Sequence, residues 1–205
     1  MFELPLTAFH REDDSPDEDF YRTPWMVTHL DDRAAAAVTQ LYRNYFPSNG
    51  TILDLMSGWT SHLPPEARYR RVVGLGLNRV ELAANPRLDS YLVQNLNRDA
   101  TLPFPNAEFD GSALCVSVNY LTEPIMVMRE LRRVLCRRAP LVITFSNRYI
   151  PTKSIAVWHS LDGPGRQNLV ERCLLAAGEW TSIVKLTLIP EWASGDPLYA
   201  VVSRK

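Results

Sequence analysis

Cysteine is scarce in this chain of 205 residues: Cys115, Cys136 and Cys173 are odd in number and show no C-x-x-C spacing. That pattern excludes a disulfide framework and a thiolate metal site, and it implies a reduced, intracellular protein. The four histidines, His10, His29, His62 and His159, also lack ligand spacing, so no metal is expected. An excess of either charge is missing too. Lys+Arg number 22 against Asp+Glu 23, which removes the electrostatic reason to expect DNA, RNA or an anionic membrane as partner. Nor does any run approach the ~20 apolar residues of a membrane span. The opening "MFELPLTAFHREDD" carries acid where a secretory leader needs an apolar stretch, and a soluble, cytoplasmic protein is expected.

Several catalytic signatures are absent. There is no nucleophile elbow G-x-S-x-G and no phosphate-binding P-loop. "YIPTK", Tyr149 to Lys153, has the Tyr-x-x-x-Lys spacing of short-chain dehydrogenases, but Pro151 stands between the two residues. Proline inside a helix costs about 3 kcal/mol, so the two side chains cannot project from one helical face.

What is present is an ordinary globular composition, 46% hydrophobic and 22% charged, enough for a single core. Residues 1–30 read as an arm or lid, and 31–205 as one domain. The acidic segment "REDDSPDED" is either a solvated arm or a lid over a site. Asp31 or Asp32 caps a helix whose apolar positions Val38, Leu41, Tyr42 and Tyr45 recur at helical spacing. Strands are expected at Thr51–Leu55, Arg71–Leu75, Tyr91–Gln94, Ser112–Val118 and Leu141–Phe145. A helix over "EPIMVMRELRRVLCRR" turns Ile125, Met128, Leu131 and Leu135 inward and its arginines outward, as a solvated face or a phosphate grip. Another helix near Gln167–Ala177 precedes Ile183–Ile189 and Leu198–Val202, strands joined by too short a link for a crossover. The fold class is α/β, a doubly wound, mostly parallel sheet of seven strands with helices on both faces and an antiparallel C-terminal edge. Ligands of such sheets bind beyond the carboxyl ends of the strands.

The order "ILDLMSG", "VVGLGLN", "LPFPNAEFDGSALCVSVNYL" and "RELRRVLCRRAPLVITFSN" resembles the class I S-adenosylmethionine-dependent methyltransferases of small-molecule type, over roughly Ala35 to the C-terminus. "FYRTPWMVTHLDD" and "FSNRYIPTKSIAVW" narrow it to a subgroup found in plants and bacteria. The resemblance implies S-adenosylmethionine as cofactor and a small-molecule acceptor. It implies cofactor contacts from Asp54, Met56, Ser57 and Gly58 in the first loop, and from Gly76 and Asn78 after the second strand. Asn95 and Leu96 would follow the third strand and Val118 the fourth. Met56 and Thr60 stand where the family has glycines, and Gly76 stands where it has the carboxylate for the ribose hydroxyls. Asn78 or Glu81 could replace that carboxylate; equally, Asn78 could simply cap a helix over Arg79–Ala84 and Asn95 could be a turn residue. For catalysis the candidates are His29, Tyr21 and Asn147, with His62 and Arg148 nearby. The Asn/Asp-Pro-Pro-aromatic tetrapeptide of amino-methylating DNA enzymes is replaced by "NYLT". Weak or lost activity, in a methyltransferase-like binding protein, is the alternative. Oligomeric state is not indicated.

Overall fold

The computed structural model describes Pro5 and residues 7–205. The first part of the expected arm, residues 1–4 and 6, lies outside them. Seven strands form one sheet: β1 (Thr51–Leu55), β2 (Arg71–Gly76), β3 (Ser90–Val93), β4 (Gly111–Cys115), β5 (Pro140–Ser146), β6 (Ser182–Ile189) and β7 (Leu198–Arg204). Their order is β3-β2-β1-β4-β5-β7-β6, with β1 to β5 parallel and β7 antiparallel to both β5 and β6. The doubly wound sheet and its antiparallel edge are as the sequence pattern implies.

Successive residues of a strand face opposite sides, so each central strand feeds two cores. Ile52, Val72, Ala113 and Val142 pack with Val38, Leu41 and Tyr42 of α2 (Asp32–Tyr45). On the other side Leu53, Val73, Leu114 and Ile143 pack with α4 (Pro124–Val134) and α6 (Gly163–Ala177). Three short helices complete the set: α1 (Asp17–Phe20), α3 (Arg79–Ala84) and α5 (Ala156–His159). Asp31 is the cap of α2, accepting from the Ala34 N–H at 2.8 Å.

Residues 56–70 and 94–110, which link β1 to β2 and β3 to β4, contain no helix. Pro64, Pro65, Pro103 and Pro105 interrupt both segments, and proline removes the amide a helix needs. β4 stops at Cys115 rather than Val118, because Val116 turns to φ +44°. Of the outward arginines, Arg129 and Arg137 stay exposed while Arg132 and Arg133 bind backbone carbonyls. Arg133 donates to the carbonyls of Leu102 and Phe104 at 2.8 Å, holding "LPFPN" against the helix, and Arg132 Nε donates to the Glu179 carbonyl at 2.6 Å.

The acidic segment is not a solvated arm. The Ala156 and Val157 N–H groups donate to the carbonyls of His10 and Ala8, and Asp13 N–H donates to the Thr152 carbonyl. Lys153, the lysine of the discounted Tyr-x-x-x-Lys match, is 0% exposed. Its Nζ donates to the Ser15 carbonyl at 2.7 Å, lies 3.3 Å from Asp13 and 3.5 Å from Asp17, and sits over the Phe20 ring. Arg11 closes the cluster, donating to Asp17 at 2.7 Å. A buried charge left without its partner is strongly destabilising, by about 3–5 kcal/mol. Lys153→Ala is therefore expected to lower the urea unfolding free energy by roughly that amount, and to open the arm to trypsin at the exposed Arg22. An unchanged cleavage rate would mean that the arm is held elsewhere.

Candidate active site

A cavity of about 420 Å³ opens at the carboxyl ends of β1, β2 and β4. The strand order reverses between β1 and β4, the switch point where α/β sheets bind ligands. Two non-glycine residues with left-handed backbone flank it, Met56 at φ +55° and Val116 at φ +44°. Each ends its strand with a sharp turn. For β-branched Val116 that conformation is an outlier, of the kind that persists where the surroundings enforce it.

The first loop is pinned from below. Asp54 is buried and accepts from Ser57 Oγ at 2.7 Å and from Ser61 Oγ at 2.5 Å. Burial raises its pKa, and the two serine donors pull against that rise. Asn85 Nδ2 donates to the Gly58 carbonyl at 2.9 Å, and Trp59 Nε1 donates to the Val27 carbonyl at 2.9 Å. The loop also clamps onto β2: Ser57 N–H donates to the Leu75 carbonyl at 2.9 Å. A Cβ on Gly76 would lie 2.1 Å from the Ser57 carbonyl oxygen. No side chain, and hence no carboxylate, fits at that position.

A carboxylate is nevertheless present in the cavity. Glu81, in the first turn of α3, accepts the Trp25 N–H at 2.8 Å, and its Oε2 lies 3.1 Å from where a Cβ on Gly58 would stand. Asn78 is the cap of α3, accepting from the N–H groups of Val80 and Glu81, while its Nδ2 donates to the Tyr21 carbonyl at 2.8 Å. Asn95 is a turn residue, its side chain accepting from the Asn97 N–H, and it lines the cavity beside the buried Leu96. Asn97 then ties Asp17 to the Tyr120 carbonyl at 2.9 Å each.

Of the sequence candidates, Asp54, Met56, Ser57, Gly58, Gly76, Asn78, Asn95, Leu96, Tyr21 and His29 all line this cavity. Two do not. Val118 packs into the core at 3% exposure, because the turn at Val116 swings the chain and brings Ser117 to the wall instead. Asn147 is exposed and does not line the cavity; Arg148 does, its Nε donating to Asp196 at 2.7 Å. The arm supplies Asp17, Tyr21, Trp25, Val27, Thr28 and His29, so it forms one wall of the cavity. Trp25 and Ser117 carry no sequence signal, since their placement follows from the docked arm and from the backbone of Val116.

Neither His29 nor His62 has a hydrogen-bond partner among the described residues. Both pKa values are lowered by loss of solvent; charged His29 lowers that of His62 further, while Glu81 partly restores that of His29. Burial raises the Tyr21 pKa and lifts the Cys115 thiol to about 11, so both keep their protons at neutral pH. Among the described residues no group of His, Cys, Asp and Glu could hold a metal ion. Histidine pKa values depressed in the folded state make stability fully present above the ordinary 6.5 and lost as pH falls below it. Replacing His62 by glutamine is expected to flatten the fall in urea midpoint between about pH 7 and pH 5; an identical fall in both proteins would show that His62 does not contribute.

Residues 53–143, less than half of the chain, match the family model of a methyltransferase domain. No curated protein matches. Solved structures with the same fold include an S-adenosylmethionine-dependent methyltransferase from Archaeoglobus fulgidus, 12% identical, covering 92% of this chain and 98% of that one with a TM-score of 0.64. The phosphoethanolamine N-methyltransferase 2 of Haemonchus contortus, in complex with S-adenosyl-L-methionine, is 13% identical with a TM-score of 0.60, over 83% of this chain and 52% of that one. The [4+2]-cyclase SpnF is 16% identical, covering 89% and 86%, with a TM-score of 0.61. No helix among the described residues is long and apolar enough to cross a membrane.

Proposed function

We propose that this chain is a class I S-adenosylmethionine-dependent methyltransferase and that it transfers the methyl group of that cofactor to a small molecule held under the N-terminal arm. The observation that carries this reading is the cavity at the β1/β4 switch point, which keeps a carboxylate and a pinned first loop although the usual glycines and the β2 carboxylate are gone. The residues fit the cofactor. Ser57 and Gly58 bring backbone close to the cavity, and Glu81 offers two carboxylate oxygens to vicinal hydroxyls. Asn95 and Leu96 are placed for a planar base, and Asp54 holds the loop in shape.

The cofactor supplies a methyl group already activated by a positively charged sulfur. The chain therefore has to position an acceptor and exclude water. His29 and His62, unprotonated and unpartnered at the wall, are suited to receive a proton, whereas Tyr21, which keeps its own, serves as a donor or a surface. The docked arm covers the cavity and acts as its lid. Cavity size and the balanced charge support a small-molecule acceptor over a nucleic acid.

A second reading, a binding protein on this fold, is favoured by the closure of Gly76 against Ser57, which removes the family's own ribose contact. Calorimetric titration separates the two. S-adenosylhomocysteine is expected to bind the intact chain, and Glu81→Gln, which keeps an acceptor for the Trp25 amide, to weaken it by about 10- to 100-fold, the worth of one charge-assisted hydrogen bond. No heat at millimolar ligand would establish the binding-protein reading; equal affinity in the variant would remove Glu81 from the site.

A further inference from the structure

Arg148 is the only lysine or arginine among the described residues that line the cavity, and three segments of the chain meet to hold it. Leu198, the first residue of β7, pairs with Ser146, the last of β5, so the loop 190–197 stands at the cavity end of the sheet beside Arg148. In that loop Gly195 has φ +91°, and a Cβ there would lie 2.5 Å from Asp31 Oδ2. Glycine permits both the turn and the close approach. Asp31 and Asp196 then exchange hydrogen bonds. The Asp31 N–H donates to Asp196 Oδ2 at 2.9 Å, and the Asp196 N–H donates to Asp31 Oδ2 at 2.7 Å. Asp196 Oδ1 is left for Arg148 Nε, at 2.7 Å, while the Arg148 N–H donates to Ser146 Oγ at 3.0 Å. A guanidinium carries its N–H donors in one rigid plane. With Nε fixed, its two Nη groups remain, and neither has a partner among the described residues.

Stability does not account for this arrangement. The Arg148 side chain is 58% exposed, and an ion pair so open to water contributes little to the fold. Its position suits a ligand better. β5 lies beyond β4, across the switch point from β2 and β3. On the proposed reading the cofactor occupies the ends of β1, β2 and β3, so Arg148 stands on the acceptor's side. The carboxylates of the cavity do not claim that place. Asp54 and Glu81 belong to β1 and α3 on the cofactor side, and Asp17 is matched by Arg11 and Lys153. Tyr149, next in the chain, lines the cavity with Trp25 and Trp59, and all three offer flat faces to a ring.

We propose that Arg148, positioned by Asp196, binds a carboxylate of the methyl acceptor, and that this acceptor is an aromatic carboxylic acid; the assignment rests on the methyl-transfer reading above. Two Nη donors in a planar fork match the two oxygens of a carboxylate. A doubly charged phosphoryl group would find only one cation here. Arg148 is a binding residue that orients the acceptor and takes no part in the bond changes.

The test uses the full chain saturated with S-adenosylhomocysteine and follows benzoate, benzamide, benzylamine and phenyl phosphate by ligand-observed NMR. Benzoate is expected to bind best. Arg148→Gln should weaken benzoate about tenfold or more, the worth of one charge-assisted hydrogen bond, and leave benzamide and the urea midpoint nearly unchanged. Arg148→Lys, which keeps the charge without the fork, should remain weaker than the intact chain. Equal benzoate affinity in Arg148→Gln, full recovery in Arg148→Lys, or a preference for benzylamine or phenyl phosphate overturns the proposal. So does a clearly lowered urea midpoint in Arg148→Gln, which would make the pair with Asp196 a structural contact. If S-adenosylhomocysteine itself fails to bind the intact chain, the methyl-transfer reading falls; if it binds and benzoate does not, the acceptor assignment falls alone.

Discussion

The contact on which the site depends is the clamp between the first loop and the end of β2. Ser57 donates its amide to the Leu75 carbonyl and presses its own carbonyl oxygen against Gly76. One backbone hydrogen bond thereby decides two side chains. It requires glycine where the resemblance places a ribose-binding carboxylate, while the carboxylate the cavity does hold arrives from another direction. Glu81, capped into place by Asn78 at the start of α3, comes from above the loop rather than from the strand. A one-atom side chain at Gly76 would have to push backbone aside, which is why the substitution cannot be absorbed by a rotamer change.

The second determinant is electrostatic. Beside its backbone hydrogen bonds, the arm that walls the cavity is held by Lys153 and Arg11, both with almost fully buried side chains, which gather Asp13, Asp17 and the Ser15 carbonyl around them. Asp17 serves twice, since it also fixes Asn97 and through it the turn after β3. The arm, the turn after β3 and the loop after β5 are thus joined by one set of charges. A paired buried cluster of this kind is directional and all-or-none in a way that apolar contact is not.

Within that enclosure the ionisable groups are sorted by partner. The carboxylates Asp17 and Asp54 are saturated with donors and Glu81 has one oxygen on the Trp25 amide, whereas neither the exposed His29 nor the half-buried His62 has a hydrogen-bond partner among the described residues.

The sequence alone determined the sheet and the frame of the site. Apolar runs bounded by turns marked the strands, Asn78 before "RVEL" marked a cap, and "LDLMSG" marked the loop that carries Asp54, because these depend on local periodicity and short-range hydrogen bonds. Long-range geometry decided the rest. That β4 stops at Cys115 and shows Ser117 instead of Val118 depends on a φ value no composition displays. That the exposed Arg148 reaches the cavity while its neighbour Asn147 does not, and that Asp196 holds Arg148 from far along the chain, is long-range geometry. And "REDDSPDED", read locally as a solvated charge run, docks because Lys153 and Arg11 meet its carboxylates only once the chain has folded. Charge in sequence favours water; charge opposite a buried cation favours the fold, and only the tertiary structure supplies the cation.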